Sequence, residues 1–154
     1  MKLALLTNFI PPYRLSLYKR IAVKCEKLTV FVSVEMEKTR VWEVNHDGLN
    51  VVVQKNWSTV KTWEEGYKTS IHFPYDTIFL LAKYQPQVVI SVELGLRSIF
   101  SSIYCKLYRK PLILWLALSE HSERNRKGIR TIIRRRLFKH ASAILCNGQS
   151  AVKY

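Results

Sequence analysis

Apolar runs, and the polar residues that end them, divide this chain into alternating segments. Lys2 to Thr7, Leu28 to Val34, Val88 to Val92, Leu112 to Leu118 and Ala143 to Cys146 are nearly continuous in hydrophobic side chains. They end in Thr7-Asn8, Ser33-Val34-Glu35, Val92-Glu93-Leu94-Gly95, Ser119-Glu120-His121 and Asn147-Gly148. A sheet with one wet face would alternate polar and apolar residues, so runs this apolar predict parallel strands covered on both faces. Leu49 to Gln54, after the turn signal Asp47-Gly48, predicts one further strand.

The intervening segments carry helical spacing. Leu15, Tyr18, Ile21 and Ala22 recur on one face up to about Cys25, with Pro12 suited to a first helical position. Ile78, Leu81 and Ala82 mark a short helix that Tyr84-Gln85-Pro86 stops. Ile99, Phe100, Ile103, Tyr104 and Leu107 share a face within Arg97 to Tyr108. Ile129, Ile132, Ile133 and Leu137 line one side of a basic helix, and another helix begins at Gln149. Residues 35–48 and 55–74 are the least regular and read as long loops containing Trp42, Trp57, Trp63 and His72. Aromatic loops beside strand ends often shape a substrate site. The order βαβ, β, αβαβαβα predicts one doubly wound, mostly parallel Rossmann-like α/β domain over residues 1–154. In such a sheet all carboxyl ends face one crevice, where ligands bind.

Composition adds limits. At 154 residues, 48% hydrophobic and 23% charged, the chain suits one globular domain. Its longest apolar run is far short of the roughly 20 residues that span a bilayer. The start lacks a signal-peptide cleavage site and reads as a strand, so a cytoplasmic location is expected. Cys25, Cys105 and Cys146 lack metal or redox spacing and read as buried free thiols. The net charge is +14, and more than half of the excess falls between Arg124 and Lys139, where no acid interrupts. A local excess suggests a partner surface. Arg126, Lys127, Arg130, Arg134, Arg135 and Arg136 are its candidate anion-binding residues. They suit a solvated helix face or an anionic membrane, which attracts basic residues at roughly 1 kcal/mol each. No G-x-G-x-x-G follows the first strand, which argues against NAD or FAD. The four histidines are scattered and no paired Asp motif occurs, so no metal site is expected.

Five motifs occur in one order: Leu6-Thr7-Asn8-Phe9-Ile10-Pro11-Pro12-Tyr13-Arg14, Ile71-His72-Phe73-Pro74-Tyr75-Asp76, Val92-Glu93-Leu94-Gly95-Leu96-Arg97-Ser98, Leu114-Trp115 with Ser119-Glu120-His121-Ser122-Glu123, and Asn147-Gly148-Gln149-Ser150-Ala151. That order resembles the amino-terminal, acceptor-binding half of GT-B-fold retaining glycosyltransferases of the family-four, or group-one, type. The resemblance implies a metal-independent transferase that uses a nucleotide-sugar as co-substrate and a glycan or lipid-linked acceptor in surface polysaccharide or glycolipid assembly. It also implies attachment on the inner face of the cell membrane. Donor binding in that family belongs to a carboxy-terminal domain with a Glu-containing motif, which nothing here matches. The expectation is a half that is inactive alone and works with a missing or separate donor-binding domain.

Transfer requires an acceptor hydroxyl to lose a proton and the leaving phosphate to be neutralised. Glu120, His121 and Glu123, after the most apolar run, are the candidate catalytic groups. The same residues suit a helix start, with Ser119 or Ser122 as cap and the acids favoured by the dipole. Asn8, Pro12, Tyr13, Arg14, Glu93, Gly95, Asn147 and Gly148 are the candidate substrate-binding residues. Arg14 can reach a phosphate or lie solvated; Glu93 can bind a hydroxyl; Gly95 and Asn147-Gly148 also read as turns. Two rival readings remain open. One is a basic nucleic-acid-binding α/β module, though its aromatics are not interleaved with the arginines. The other is a non-catalytic partner subunit of a split glycosyltransferase.

Overall fold

The computed structural model describes residues 1–37, 40, 42–43, 46–62, 68–116 and 128–153. Strands β1 (Lys2–Thr7), β2 (Lys27–Val32), β3 (Asn50–Val53), β6 (Val88–Val92), β7 (Leu112–Leu116) and β8 (Ala143–Cys146) form a six-stranded sheet in the order β3-β2-β1-β6-β7-β8. Every pairing in it is parallel, with β1 in register from Lys2↔Lys27 to Thr7↔Val32 on one side and from Leu3↔Val88 to Leu6↔Ser91 on the other. The doubly wound α/β architecture expected from the apolar runs is therefore present. Chain order reverses between β1 and β6, so these two central strands flank the topological switch point where such sheets open a crevice.

Alternate residues of β1 serve opposite faces, as strand geometry requires. Leu3 and Leu5 join Val30, Val32 and Tyr18 of α1 (Pro12–Val23) in one core. Ala4 and Leu6 join a second core with Leu81 of α2 (Thr77–Tyr84), Tyr104 and Cys105 of α3 (Leu96–Leu107) and Leu137 of α4 (Ile129–His140). A short α5 (Gln149–Lys153) follows β8. Helix starts and stops obey the sequence signals. Pro11 is extended at the α1 cap with Pro12 just inside, and Gln85 takes the left-handed conformation that closes α2 before Pro86.

Three expectations change. Residues 55–74 are not an irregular loop: β4 (Asn56–Thr62) and β5 (Lys68–Pro74) pair antiparallel, from Asn56↔Pro74 to Thr62↔Lys68. Nearly every β4 residue is exposed, so no burial demand imposed the alternation that marks a half-buried strand. In α3, Ile103 and Leu107 face solvent, while Ser98, Ser101, Tyr104 and Cys105 face the sheet. In α4, Ile132 faces outward, whereas Arg134 is buried beside Leu137. Arg134 is thus withdrawn from the cationic face on which it was expected.

All three cysteines are free, Cys105 buried and Cys25 and Cys146 half-buried. Burial pushes the Cys105 thiol up to about 12 from an ordinary 9.0. Its proton is therefore kept at alkaline pH in the folded state, while the unfolded chain ionises first; stability is lost as pH rises from 9.0 toward 12. With iodoacetamide at pH 8.5, Cys105 is expected to stay unmodified in the native protein and to react only in denaturant, as read by peptide mass spectrometry. Modification at the rate of Cys25 or Cys146 would contradict its burial.

Candidate functional site

At the switch point, Asn8 follows β1 and Glu93 follows β6, and their side chains meet. Asn8 Nδ2 donates to Glu93 Oε2 at 3.0 Å. The other end of the amide, Oδ1, accepts from an Nη of Arg97 at 2.5 Å, and the same nitrogen donates to Ser33 Oγ at 2.5 Å. Arg97 can only donate, so it fixes which way the Asn8 amide points: oxygen to the guanidinium, nitrogen to the carboxylate. The Asn8 carbonyl accepts from the backbone N–H groups of Ser33 and Val34, at 3.0 and 3.1 Å. One residue thus ties the carboxyl ends of β1 and β2 to the exposed carboxylate after β6.

Glu93 is itself held under strain. Its φ of 70° lies in the left-handed region that a glutamate rarely adopts. Three contacts impose this geometry. Its N–H donates to the Trp115 carbonyl at 3.0 Å, its carbonyl accepts from Ser98 Oγ at 2.5 Å, and Asn8 holds the side chain. Such strain persists only where the surroundings over-determine it, and it clusters at functional sites. Gly95, expected to permit an awkward turn, is extended at φ −125°, and a Cβ there would meet nothing within 4 Å. The awkward residue is Glu93, two positions earlier.

Arg97 is the residue that sequence reasoning missed. It sits in the first turn of α3, which holds no acid, and is only 4% exposed. Its Nε has no partner. Burial lowers its pKa to about 10 from 12.5, with Glu93 and then Tyr18 opposing that shift, so it remains a cation at neutral pH. Its signal in sequence was a lone arginine at the start of a helix, directly after the polar end of a buried strand.

A second cluster lines the same end of the sheet. Arg14 is half-buried and lies over the Trp115 ring, 4.9 Å from the centroid. Tyr18 packs edge-on against the same ring at 6.2 Å. Its hydroxyl has no hydrogen-bond partner of good geometry, and burial raises its pKa against the opposing effect of nearby Arg14. Trp115 Nε1 donates to Asn147 Oδ1 at 2.7 Å, joining the ends of β7 and β8. Gly148, at φ 87°, makes the turn that follows. Tyr13 is exposed and meets Trp42 edge-on at 6.2 Å, with Phe9 at 6.0 Å and Arg40 over the indole at 5.1 Å. Pro12, exposed beside Tyr13, opens α1. Trp42, in the segment after β2, thus packs against Phe9 and Tyr13, which follow β1. His72 ties the β4–β5 hairpin to the same rim, since its ring nitrogens meet Ser58 Oγ at 2.9 Å and Glu37 Oε1 at 3.2 Å.

The structure brings Asn8 and Glu93 together, and separately Arg14 and Asn147 around Trp115. Glu120, His121, Glu123, Arg126 and Lys127 lie outside the described residues, as does the Arg130 side chain. Arg135 and Arg136 are exposed on α4. Among the described residues no cluster of His, Cys, Asp and Glu could hold a metal ion, and no helix is long and apolar enough to cross a membrane.

No family model matches the sequence, and no curated protein matches it. Among solved structures, the chain is similar to the UDP-GlcNAc 2-epimerase from Methanocaldococcus jannaschii, with a TM-score of 0.53 and 14% identity. The match covers 99% of this chain and 41% of that one, so this chain spans less than half of that enzyme's length. At that identity the likeness is one of fold: a mostly parallel, Rossmann-like α/β domain.

The left-handed Glu93 yields a direct check. Glu93→Gly and Glu93→Ala both lose the carboxylate, but only glycine relieves a conformation costing roughly 1–2 kcal/mol. Glycine's greater freedom in the unfolded chain returns part of that, about 0.4–1 kcal/mol. The Gly variant should be the more stable of the two by about 0.5–1 kcal/mol in urea unfolding. Equal midpoints would show that residue 93 is not held in that conformation.

Proposed function

We propose that this chain is the acceptor-binding half of a retaining GT-B glycosyltransferase of the family-four type, working on a glycan or lipid-linked acceptor in surface polysaccharide or glycolipid assembly. The observation that carries this reading is the carboxylate of Glu93, held at the switch point by an amide that a buried arginine orients. A carboxylate aimed into a crevice binds sugar hydroxyls bidentately, or takes the proton of an attacking hydroxyl. Asn8 keeps it from turning away. The Tyr13–Trp42 pair supplies apolar rings on which the C–H face of a sugar packs. Both the motif order and the fold likeness to a sugar-nucleotide epimerase support a sugar-related role.

On this reading the nucleotide-sugar donor is held by a second Rossmann-like domain, and the chain alone binds acceptor without turning it over. Glu120, His121 and Glu123 remain the proposed catalytic groups of the loop after β7. Asn147 and Gly148 would border the crevice beyond them, with the Asn147 carboxamide already engaged by Trp115.

The test is binding by the intact chain to an array of bacterial surface glycans, with affinities measured by calorimetry. We expect Asn8→Ala and Glu93→Gln each to weaken retention of the bound glycan at least tenfold, about 1.4 kcal/mol, with UDP leaving the affinity unchanged. Failure to retain any glycan, together with UDP binding that Asn8→Ala abolishes, would make the crevice a nucleotide site and overturn the assignment.

A further inference from the structure

We propose that a calcium-sized divalent cation binds where the β3–β4 and β5–α2 junctions meet, held by Gln54 Oε1, Asn56 Oδ1 and Asp76 Oδ1. These three oxygens are buried and accept no hydrogen bond. A carboxamide or ionised carboxylate oxygen can only accept, so none of the three satisfies another. Gln54 is 4% exposed, and Asn56 and Asp76 are half-buried. Among the described residues no ammonium or guanidinium pairs with Asp76. A withdrawn carboxylate oxygen without donor or counter-charge is costly.

Neighbouring bonds fix where these oxygens point. Thr77 Oγ1 donates its single proton to the Pro74 carbonyl at 2.8 Å, so it can only accept from Gln54 Nε2, at 2.9 Å. The Gln54 amide therefore cannot gain by turning its oxygen to Thr77. Asn56 Nδ2 is engaged likewise, by Ser58 Oγ at 2.6 Å and His72 Nδ1 at 3.3 Å. Asp76 Oδ2 accepts from the Lys55 N–H at 2.9 Å. Gln54 and Asn56 flank Lys55, and Thr77 follows Asp76, so the Lys55–Asp76 and Gln54–Thr77 bonds bring the three side chains to one corner. Asp76 also stands at the N-cap of α2, where an aspartate ordinarily accepts from a helix N–H, yet it makes no such bond.

The donor set selects the ion. Zinc-like or iron-like ions call for His or Cys, and no cluster of His, Cys, Asp and Glu occurs among the described residues. Carboxamide and carboxylate oxygens suit a hard cation, and calcium accepts irregular sets completed by water, whereas magnesium demands a regular octahedron. One carboxylate alone, at the positive end of the α2 dipole, keeps the affinity low, with a Kd of about 10⁻⁴–10⁻³ M. The ion would pin the β4–β5 hairpin to β3 and α2, because Asn56 also holds His72, which meets Glu37 beyond β2. It is a structural ion, independent of the acceptor-binding reading.

Thermal unfolding of the full chain, first freed of metal with EDTA, tests this. Adding 10 mM CaCl₂ should raise Tm by about 3 °C over NaCl of equal ionic strength. Tb³⁺, a luminescent substitute for calcium, should be sensitised at 295 nm by Trp57 beside Asn56 and displaced by CaCl₂. Trp57→Phe should remove most of that emission and keep the calcium shift. Asp76→Asn should abolish the shift without destabilising the ion-free protein, since its oxygen still accepts from Lys55 and its N–H groups supply the missing donors. An unchanged Tm in CaCl₂ overturns the proposal and leaves the three oxygens to water. An equal rise in MgCl₂ or KCl overturns it as well, as does a calcium shift that survives Asp76→Asn. Should that variant misfold, terbium emission indifferent to Trp57→Phe places the ion elsewhere and has the same force.

Discussion

Three parallel strands end at one guanidinium. Arg97 reaches Asn8 beyond β1 and Ser33 beyond β2, and it starts the helix that follows β6. Withdrawing a cation from water costs several kcal/mol, and hydrogen bonds to neutral acceptors return roughly 1.5–3 kcal/mol each. One N–H, at Nε, is left without an acceptor. The deficit appears as the lowered Arg97 pKa of about 10, with the Glu93 carboxylate as the first opposing influence. The arginine therefore demands acceptors at fixed positions, and the loops after β1, β2 and β6 are shaped to provide them. A methionine of similar length would fill the volume but leave Asn8 Oδ1 and Ser33 Oγ without their donor, and the amide free to flip. The orientation of the Asn8 amide, and with it the hold on Glu93, depends on this charge.

The helical layers on the two faces of the sheet differ. On the α1 side, Tyr18 and Trp115 bring rings into the core, and Arg14 covers the outer ring with its own charge. On the other side, α2, α3 and α4 bury small and apolar residues inward but carry hydrophobic side chains outward as well. An isolated exposed leucine is ordinary on a protein surface. A stripe on one helix, with matching residues on both adjoining helices and no acid among them, is not explained by solubility, because carboxylates would serve that purpose better.

The sheet was legible because its demand is simple. A strand covered on both faces must be apolar throughout, and β1, β2, β6 and β7 satisfy that rule almost residue for residue; the edge strand β8 is just as apolar but largely exposed, so the expected cover is missing there. The α1 face was equally clear, since Leu15, Tyr18, Ile21 and Ala22 do meet the core. Helix α3 misled because it carries apolar residues on opposite sides, some toward the sheet and some toward solvent. Periodicity then merged Tyr104, which faces the sheet, with Ile103 and Leu107, which do not. The β4–β5 hairpin was hidden for the opposite reason: β4 is exposed almost throughout, so it needed no alternation of apolar and polar residues. At the site, Asn8 and Glu93 could be named because strand ends converge, whereas the bond from Arg97 that orients Asn8 spans 89 residues and leaves no local trace.

Glu93 shows how these levels connect. The turn after β6 needs one residue in the left-handed region, and Gly95 stands two positions away without using its freedom. If stability alone had shaped the turn, the glycine would occupy position 93 and the glutamate would lie elsewhere. The chain instead holds a carboxylate there, fastened by the Trp115 carbonyl, the Ser98 hydroxyl and the Asn8 amide. Each of those groups belongs to a different element: β7, α3 and the end of β1. A strained side chain secured from three directions is stiff, and stiffness is what a hydroxyl-binding carboxylate needs to select one orientation of a sugar. On the acceptor-binding reading the backbone cost and the binding geometry are one feature, since moving the carboxylate to an unstrained position would also remove it from the Asn8 amide that holds it.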